Sequence, residues 1–539
     1  MKKFWRSGDP YIWLTGAALA VSLLLVAGLV LLVLVNGLGF FWPKGVVHLT
    51  LDDGREVVGE VVERQAIPQP EAPPGTPARY RIKIKQGNRD LFGVDFLWVE
   101  EAAIVKRHWP PEAVVVERRE WGNLYGFITA VKDEDRLVAE GPEAGWEAVQ
   151  ARLPEARRIH REIRRIERHE IGAINYVQEQ ARLGIRRLEL QGITTGPEHE
   201  RFEREIAEAQ VKYEKQLAVL MALRERLTSG VVVAAAGGLE KDLPLAQIVR
   251  AYRPNIMGVA AKLGFYLAKV WEFVADDPRE ANTEGGVFPA IFGTVMMVFM
   301  MSIAVTPLGV VAGFYLREYA AQGPLVSAVR IAVNNLAGVP SIVFGVFGVG
   351  FFIYFVGGTI DQLFYPESLP APTFGTGGIL WASLTLALLT VPVVIVATEE
   401  GLATVPRAMR EASLALGATK FETTWRVVLP SVMPAIFTGL ILAIARAAGE
   451  VAPLMITGVV KLAPALPIDG FWPFVHLERK FMHLGFHIFD VGFQSPNVDS
   501  ARPMVFATTL LLLAIVVMLN LTAIALRNRY RKKYAVSGV

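Results

Sequence analysis

Residues 10–43 read PYIWLTGAALAVSLLLVAGLVLLVLVNGLGFFWP and contain no Asp, Glu, Lys or Arg. About 20 apolar residues are enough to cross the hydrocarbon core of a bilayer as a helix, which satisfies its own backbone polar groups. The stretch is therefore predicted to span a membrane. Its apolar core is much longer than the roughly 7–15 residues of a cleaved signal peptide, so we expect an anchor.

Five further apolar runs are long enough to span a bilayer. Four of them carry no Asp, Glu, Lys or Arg, and the fifth, 427–460, holds only Arg446 and Glu450. With the first run they predict six spanning helices, at 12–35, 288–314, 336–356, 377–397, 432–457 and 504–526.

The basic residues predict how these helices are oriented, because short cytoplasmic segments are rich in Lys and Arg. Lys2, Lys3 and Arg6 precede the first span, and a basic tail follows the last one. Both termini are therefore expected in the cytoplasm. Counting the six spans from a cytoplasmic N-terminus places the segment 411–430 inside and the long segment 44–284 outside.

The composition fits a chain with a membrane part and a water-exposed part. Of the 539 residues, 52% are hydrophobic and the mean hydropathy is +0.36, yet 20% are charged, too many for a membrane bundle alone. The absence of cysteine excludes disulfides, iron–sulfur clusters, thiolate zinc sites and cysteine nucleophiles. A net charge of +3 gives no reason to expect nucleic-acid binding.

The segment 44–255 is predicted to form an inserted extracytoplasmic α+β domain. Residues 44–141 are rich in strand patterns and turn signals. Residues 142–228 are charged, with apolar residues three and four apart, which indicates an antiparallel helical hairpin of the coiled-coil kind. The hairpin could be a spacer or stalk, a docking arm for a partner such as a substrate-binding protein, or a ligand-sensing module.

Residues 256–284 form the predicted return to the membrane. The first part, 256–275, mixes Lys262, Lys269 and Glu272 with aromatic and aliphatic residues. This mixture favours a helix lying in the outer membrane interface, although a core helix of the exposed domain fits the same pattern. The remaining boundaries are predicted at 1–43 for the cytoplasmic N-terminus and first span, 285–530 for the transmembrane domain and 531–539 for a cytoplasmic tail.

The motifs of several enzyme classes are missing. The sequence has no Gly-x-x-x-x-Gly-Lys-Ser/Thr nucleotide loop, no Gly-x-Ser-x-Gly elbow and no His-Glu-x-x-His zinc motif. His483 and His487 are four residues apart with Asp490 nearby, which could hold a metal, but a paired helix face near the membrane is the preferred interpretation. We therefore predict no catalytic residue, no cofactor and no metal in this chain.

Arg446 and Glu450 are the charged residues of the fifth predicted span. A charge at mid-membrane costs roughly 2.5–3.5 kcal/mol, so it is kept where it is paired or faces a polar path. A spacing of four places both side chains on one helix face. Either they neutralise each other and hold helices together, or Arg446 contacts a translocating oxyanion while Glu450 balances it when the path is empty.

The segment 411–430, EASLALGATKFETTWRVVLP, resembles the coupling segment of ABC importer permeases. That family pattern is Glu-Ala-Ala, three residues, Gly, nine residues, Ile, one residue and Leu-Pro. Five positions match it in register: Glu411, Ala412, Gly417, Leu429 and Pro430. Ser413 and Val427 are mild departures. A short helix, a glycine turn and an apolar-and-aromatic face would suit docking into a groove of another protein.

Four other stretches resemble phosphate-uptake ABC permeases of the PstA type: 282–294, 334–345, 398–407 and 445–454. The resemblance covers about 280–530 plus the first span. The domain at 44–255 resembles only the longer members, so its role is not carried over. The resemblance implies an all-α polytopic protein of the bacterial inner membrane, with six transmembrane helices in the type I ABC importer permease fold.

The same resemblance implies partners and roles. These are ABC ATPase subunits that use ATP and Mg, a second PstC-like permease subunit, an extracytoplasmic phosphate-binding protein, the lipid bilayer and phosphate itself. Arg446 and Glu450 fall where the family places its transport-linked charges. Molybdate or sulfate, carried by the same machinery, is an alternative substrate. A membrane-anchored receptor or scaffold acting through 44–255 is an alternative function.

Overall fold

The computed structural model of this chain describes residues 8–69, 77–134, 136–495 and 498–534. The basic residues Lys2, Lys3 and Arg6, and the end of the predicted tail, lie outside these ranges. The chain divides into two compact units. The membrane unit consists of Met1–Phe40, Val287–Val498 and Arg502–Val539, and the inserted unit consists of Phe41–Gly286 with Asp499–Ala501.

The first helix, α1, extends over Asp9–Gly39 and carries no charged residue after Asp9. Among its described side chains, only those at Val33 and Gly37 are buried. A helix that is apolar all round and exposed all round is typical of a surface that faces lipid.

The inserted unit contains two main antiparallel sheets, so the chain as a whole is not purely helical. The strands are β1 Val46–Leu51, β2 Glu56–Ala66, β3 Tyr80–Lys85, β4 Phe96–Glu100, β5 Ile104–His108, β6 Val114–Arg118, β7 Asn123–Asp133, β8 Arg136–Glu140, β9 Ser229–Ala234, β10 Glu240–Pro244, β11 Ile248–Tyr252, β12 Pro278–Arg279 and β13 Glu284–Gly285. One sheet has the order β4-β3-β2-β1-β5, and the other has β10-β9-β7-β6-β11 with β8 paired to β7. Strands β12 and β13 form a separate small ribbon.

The described part of the inserted unit contains five α-helices: α2 Arg89–Phe92, α3 Pro142–Arg165, α4 Ile171–Leu190, α5 Pro197–Glu225 and α6 Val259–Ala275. Helix α3 packs Val149 and Leu153 against the six-stranded sheet, where they share its core with strand residues. A π-helical turn at Ile166–Glu170 joins α3 to α4. The extra residue of this turn lets Ile171, five residues after Ile166, reach the same apolar cluster.

The membrane unit continues with eleven helices among the described residues. They are α7 Phe288–Phe314, α8 Pro324–Leu336, α9 Ser341–Phe347, α10 Gly358–Phe364, α11 Ile379–Thr404, α12 Arg407–Ala415, α13 Lys420–Thr423, α14 Leu429–Gly449, α15 Ala452–Thr457, α16 Leu484–Phe489 and α17 Val498–Tyr534. Helix α11 is central, and most of its apolar side chains are buried. It shares the main core with α7 and α14, through residues such as Met297, Leu386 and Ala443.

Six helical segments of the described chain are long and apolar enough to cross a membrane, which matches the predicted number. They are Tyr11–Gly39, Phe288–Tyr319, Ser341–Phe364, Ile379–Thr404, Lys420–Gly449 and Val498–Lys532. The third differs from the predicted 336–356, because Leu336 ends α8 and Pro340 caps the next helix. Proline has no backbone N–H, so it favours a helix start over a helix interior.

The fifth predicted span, 432–457, is broken in the structure. Helix α14 ends at Gly449, Glu450 is extended (φ −76°, ψ 138°), and α15 begins at Ala452. Pro453 explains the break, because a proline ring clashes with the carbonyl four residues earlier, here that of Gly449. The expectation that Arg446 and Glu450 share one continuous helix face is therefore wrong.

Candidate coupling segment and charged pair

The first half of the predicted coupling segment is a helix with a complete C-terminal cap. Helix α12 ends at Ala415, and Gly417 adopts a left-handed conformation with φ +85°. The Gly417 N–H donates to Leu414 O at 2.9 Å, and the Ala418 N–H donates to Ser413 O at 3.3 Å. These two bonds form a Schellman motif, which favours glycine at the left-handed position.

The second half starts with an N-terminal capping box. The Glu422 N–H donates to Thr419 Oγ1 at 3.2 Å, and the Thr419 N–H donates to Glu422 Oε2 at 2.9 Å. The hydroxyls of Ser413 and Thr423 lie 2.9 Å apart and connect the two halves. Ser413, which departs from the family pattern, thus contributes a hydrogen bond that alanine could not make.

Basic side chains fasten the segment to the end of the second span. Arg410 pairs with Glu318 at 2.8 Å and also donates to Val405 O and Leu402 O. Lys420 donates to Glu318 O at 2.6 Å, and its ammonium lies 4.6 Å from the Tyr319 ring centroid. Partly buried ion pairs with further hydrogen bonds hold two elements in a fixed relation.

An apolar surface remains exposed on this segment, and we call it the docking face: Leu414, Leu416, Phe421 and Trp425. Leu416 is 90% exposed, and the rings of Phe421 and Trp425 are stacked with centroids 6.3 Å apart. Trp425 was not predicted to belong to this face, although its spacing of four from Phe421 is typical of two side chains on one helix face. A cluster of exposed large apolar side chains is typical of a protein interaction site.

The five family-matching residues lie in three places. Glu411 and Ala412 are exposed on α12, Gly417 forms its cap, and Leu429 and Pro430 are half-buried where α14 begins. Helix α14 then continues to Arg446 near its C-terminal end. Sixteen residues at 1.5 Å per residue make this distance roughly 24 Å. One helix therefore connects the coupling segment to the charged pair.

Arg446 and Glu450 are brought together at the break after α14. Arg446 Nε lies 3.6 Å from Glu450 Oε1, and their side chains are 31% and 21% exposed. Ala447 and Ala448 are buried in the main core, whereas nothing lies within 4 Å of a Cβ placed on Gly449. The pair is loose and partly accessible, so Arg446 retains donors that another acceptor could use.

The break is closely packed on its other side. A Cβ on Gly345 would lie 2.7 Å from the Pro453 Cα, so glycine is required for α9 to approach α15 this closely. Gly485 of α16 would similarly meet Val451 at 2.8 Å. The extended residues after Gly449 are therefore held between neighbouring elements.

The histidines before the last span are buried. His483 caps α16 through Nδ1, which accepts from the Gly485 N–H at 3.1 Å, and Asp490 pairs with Lys461 at 3.2 Å. Burial lowers the pKa of His483 to about 3 and that of His487 to about 4. No group of three His, Cys, Asp or Glu side chains in the described part of the chain could hold a metal.

Comparisons with known proteins indicate the family of this chain. Residues 305–532 match the family described as binding-protein-dependent transport system inner membrane component. The phosphate transport system permease protein PstA of Yersinia pestis is 33% identical over 252 residues, 47% of this chain and 75% of that protein. The chain belongs to the PstA family of permeases.

Two more relatives support this assignment. PstA of Mycobacterium leprae is 36% identical to this chain, over 37% of this chain and 61% of its own length. The probable ABC transporter permease YqgI of Bacillus subtilis is 28% identical, over 49% of this chain and 85% of its own length. A chain of the inward-facing MetNI methionine transporter aligns with 45% of this one, at 17% identity and a TM-score of 0.33. The PstA assignment therefore depends on the sequence relatives, each of which matches about half of this chain or less.

Membership of this family shows what kind of protein the chain is. Its members are permease subunits of ABC importers, not enzymes, and they are multi-pass proteins of the inner membrane. A permease domain of this family works with an ATPase and a substrate-binding protein.

Proposed function

We propose that this chain is the permease subunit of an ATP-driven importer for inorganic phosphate. Membership of the PstA family carries the proposal, because the relatives from Yersinia pestis and Mycobacterium leprae are phosphate transport permeases. The coupling segment and the charged pair supply the parts that such a function needs. In this arrangement the fold is that of a type I ABC importer, and both termini lie in the cytoplasm.

The docking face would bind a separate ATPase subunit, which uses ATP and Mg. Leu416 and the stacked rings of Phe421 and Trp425 offer an apolar surface for a groove on that subunit. Because Arg410 and Lys420 fasten the segment to Glu318, a displacement of the docking face would move these elements together. Helix α14 would carry that displacement to Arg446 and Glu450.

Arg446 would contact phosphate in the translocation path. Its guanidinium offers several donors, and the 3.6 Å separation from Glu450 leaves that pair weak enough to exchange for an anion. Glu450 would repel a bound anion, so the anion would dissociate from Arg446 sooner. A second, PstC-like permease would complete the path, and an extracytoplasmic phosphate-binding protein would deliver the anion.

Uptake by the complete complex in proteoliposomes tests this function. We expect transport that requires ATP and the binding protein, with phosphate preferred over molybdate and sulfate. Arg446→Ala should lower uptake by about ten- to a hundred-fold, since a hydrogen bond to a charged group contributes about 1.5–3 kcal/mol. Arg201→Ala, on the exposed hairpin, is the control. Equal uptake of the other oxyanions would reject phosphate selectivity.

A double variant separates the two roles of the charged pair. If the pair only holds helices together, removing both charges in Arg446→Ala/Glu450→Ala should restore uptake, because no unpaired charge remains. If Arg446 contacts the anion, as we propose, the double variant should stay as inactive as Arg446→Ala. Recovery of uptake would therefore assign the pair to packing alone.

A further inference from the structure

Two charged residues of α6, Lys269 and Glu272, lie on the side that packs against the rest of the inserted unit. Glu272 is buried and pairs with Arg250 at 2.9 Å, Arg279 at 2.6 Å and Lys269 at 3.5 Å. Lys269 also pairs with Glu117 of β6 at 2.8 Å. These ion pairs attach α6 to β6, β11 and β12, so the helix is a fixed part of the unit rather than a loose linker.

The opposite side of α6 is entirely apolar, and we call it the outward face: Ala260, Leu263, Gly264, Leu267, Ala268 and Trp271. These positions follow the three- and four-residue spacing of one helix face. Leu263, Leu267 and Trp271 are 51%, 59% and 71% exposed. This arrangement is the reverse of that in a water-soluble domain, where apolar side chains face the core and charged side chains face the solvent.

Helix α6 also contacts both points where the inserted unit joins the membrane spans. Phe41, two residues after α1 ends, packs its ring against Tyr266 at 6.1 Å and Phe273 at 5.2 Å between centroids. At the other end, a Cβ placed on Gly286 would lie 2.6 Å from the backbone oxygen of Glu272 in α6, and the second span begins two residues later. Both residues at which the inserted unit continues into a membrane span, Phe41 and Gly286, therefore lie against α6.

We propose that α6 lies in the membrane interface with its outward face against the lipid acyl chains, so that it anchors the inserted unit on the bilayer. A lipid surface fits better than a protein partner, because protein interfaces have a polar rim and the exposed positions of α6 are all apolar. Tyr266 and Trp271 also suit the interface, where amphipathic rings are enriched. The inference depends on the membrane spans and holds for any transported solute.

Collision measurements on spin-labelled protein can test this contact. The chain has no cysteine, so single-cysteine variants at Leu263, Leu267 and Trp271 can each carry one nitroxide label. The labelled full-length chain is assembled with its partner subunits and reconstituted in phosphatidylethanolamine–phosphatidylglycerol vesicles. Molecular oxygen, which concentrates in lipid, and a water-soluble nickel chelate then report the surroundings of each label. Val211→Cys is the control, since Val211 is 68% exposed on the hairpin.

We expect oxygen to relax the three α6 labels several-fold more efficiently than the nickel chelate does, with the opposite order at the Val211 control. Two outcomes would overturn the proposal. Nickel access equal to that at the control would show that the outward face is in water. Low access for both reagents would show that a protein subunit covers it. A low uptake activity of the labelled complex would bear on the proposed function alone.

Discussion

Gly417 is the residue whose backbone conformation turns the coupling segment. Its φ of +85° is left-handed, and nothing lies within 4 Å of a Cβ built there. Gly417→Ala therefore meets no steric clash with neighbours but should cost about 1–2 kcal/mol in backbone strain. We expect the variant to remain folded and to lose much of its ATP-driven uptake, because the strain reshapes the cap beneath the docking face.

A matched glycine provides the control for that prediction. Gly323 also has open space around a Cβ, but its φ of −174° is extended and suits any residue. Gly323→Ala should therefore keep uptake and ATPase stimulation near those of the unaltered protein. Gly417→Asn should be milder than Gly417→Ala, since asparagine tolerates the left-handed region better. Equal activity in Gly417→Ala and Gly323→Ala would show that the turn is not required.

His487 should make stability depend on pH. Burial lowers its pKa from 6.5 to about 4, so the unfolded chain binds a proton in this range that the folded chain does not. The free energy of unfolding should therefore be highest above about pH 6.5 and fall by up to about 3 kcal/mol toward pH 4. His483, with its pKa lowered to about 3, should act in the same direction.

Melting temperatures in detergent, from about pH 7.5 to pH 4.5, can measure this dependence. His487→Gln should reduce the loss of stability on acidification, because glutamine takes up no proton in either state. His169→Gln, at an exposed position on the hairpin, should leave the pH dependence unchanged. An identical pH dependence in His487→Gln would show that His487 is not responsible.

At the scale of elements, the proposed docking device combines α12 and α13. Leu416→Asp should weaken ATPase binding at least tenfold, because it replaces a side chain whose burial would contribute about 1.5–3 kcal/mol and adds a charge at the interface. The fold should be unaffected, since Leu416 is 90% exposed. Pull-down of the ATPase by the tagged permease measures the effect, with Val211→Asp as control. Full ATPase recovery with Leu416→Asp would place the contact elsewhere.

Elements of this chain differ in how far their sequence predicts them. The long uncharged runs determine the number of spans, because only helices satisfy the backbone in lipid. Their ends are less predictable, since a proline decides them: Pro340 starts α9, and Pro453 ends α14 at Gly449. The helix break caused by Pro453 is predictable from the sequence, but the apolar residues after Glu450 favour a continuous helix.

The candidate site is likewise only partly predictable from the sequence. The spacing of Glu411, Gly417 and Pro430 predicts a coupling segment, and its turn at Gly417 is predictable because local turn chemistry depends on neighbours in sequence. The Arg410–Glu318 pair joins residues 92 positions apart, and no local pattern predicts it. Whether Arg446 faces the anion also depends on packing between elements rather than on spacing along the helix.

At the scale of the whole molecule, the hairpin is the part most separable from the permease. Its base is held by a cluster of Ile159, Ile163 and Leu220 with their neighbours, whereas Gln178 and Gln210 meet across the two helices farther out, with Nε2 3.3 Å from Oε1. Replacing residues 179–209 with a short Gly-Ser connector would therefore shorten both helices and keep the basal cluster.

The shortened protein distinguishes the interpretations of the hairpin. If the hairpin is a spacer, folding and phosphate uptake should both persist, because the basal cluster and the membrane unit keep their own cores. Uptake should then depend on the binding-protein concentration as in the full chain. A higher concentration required for half-maximal uptake, at unchanged thermal stability, would instead identify a docking arm for that protein. Unchanged uptake would also weigh against a receptor or scaffold that acts through the hairpin.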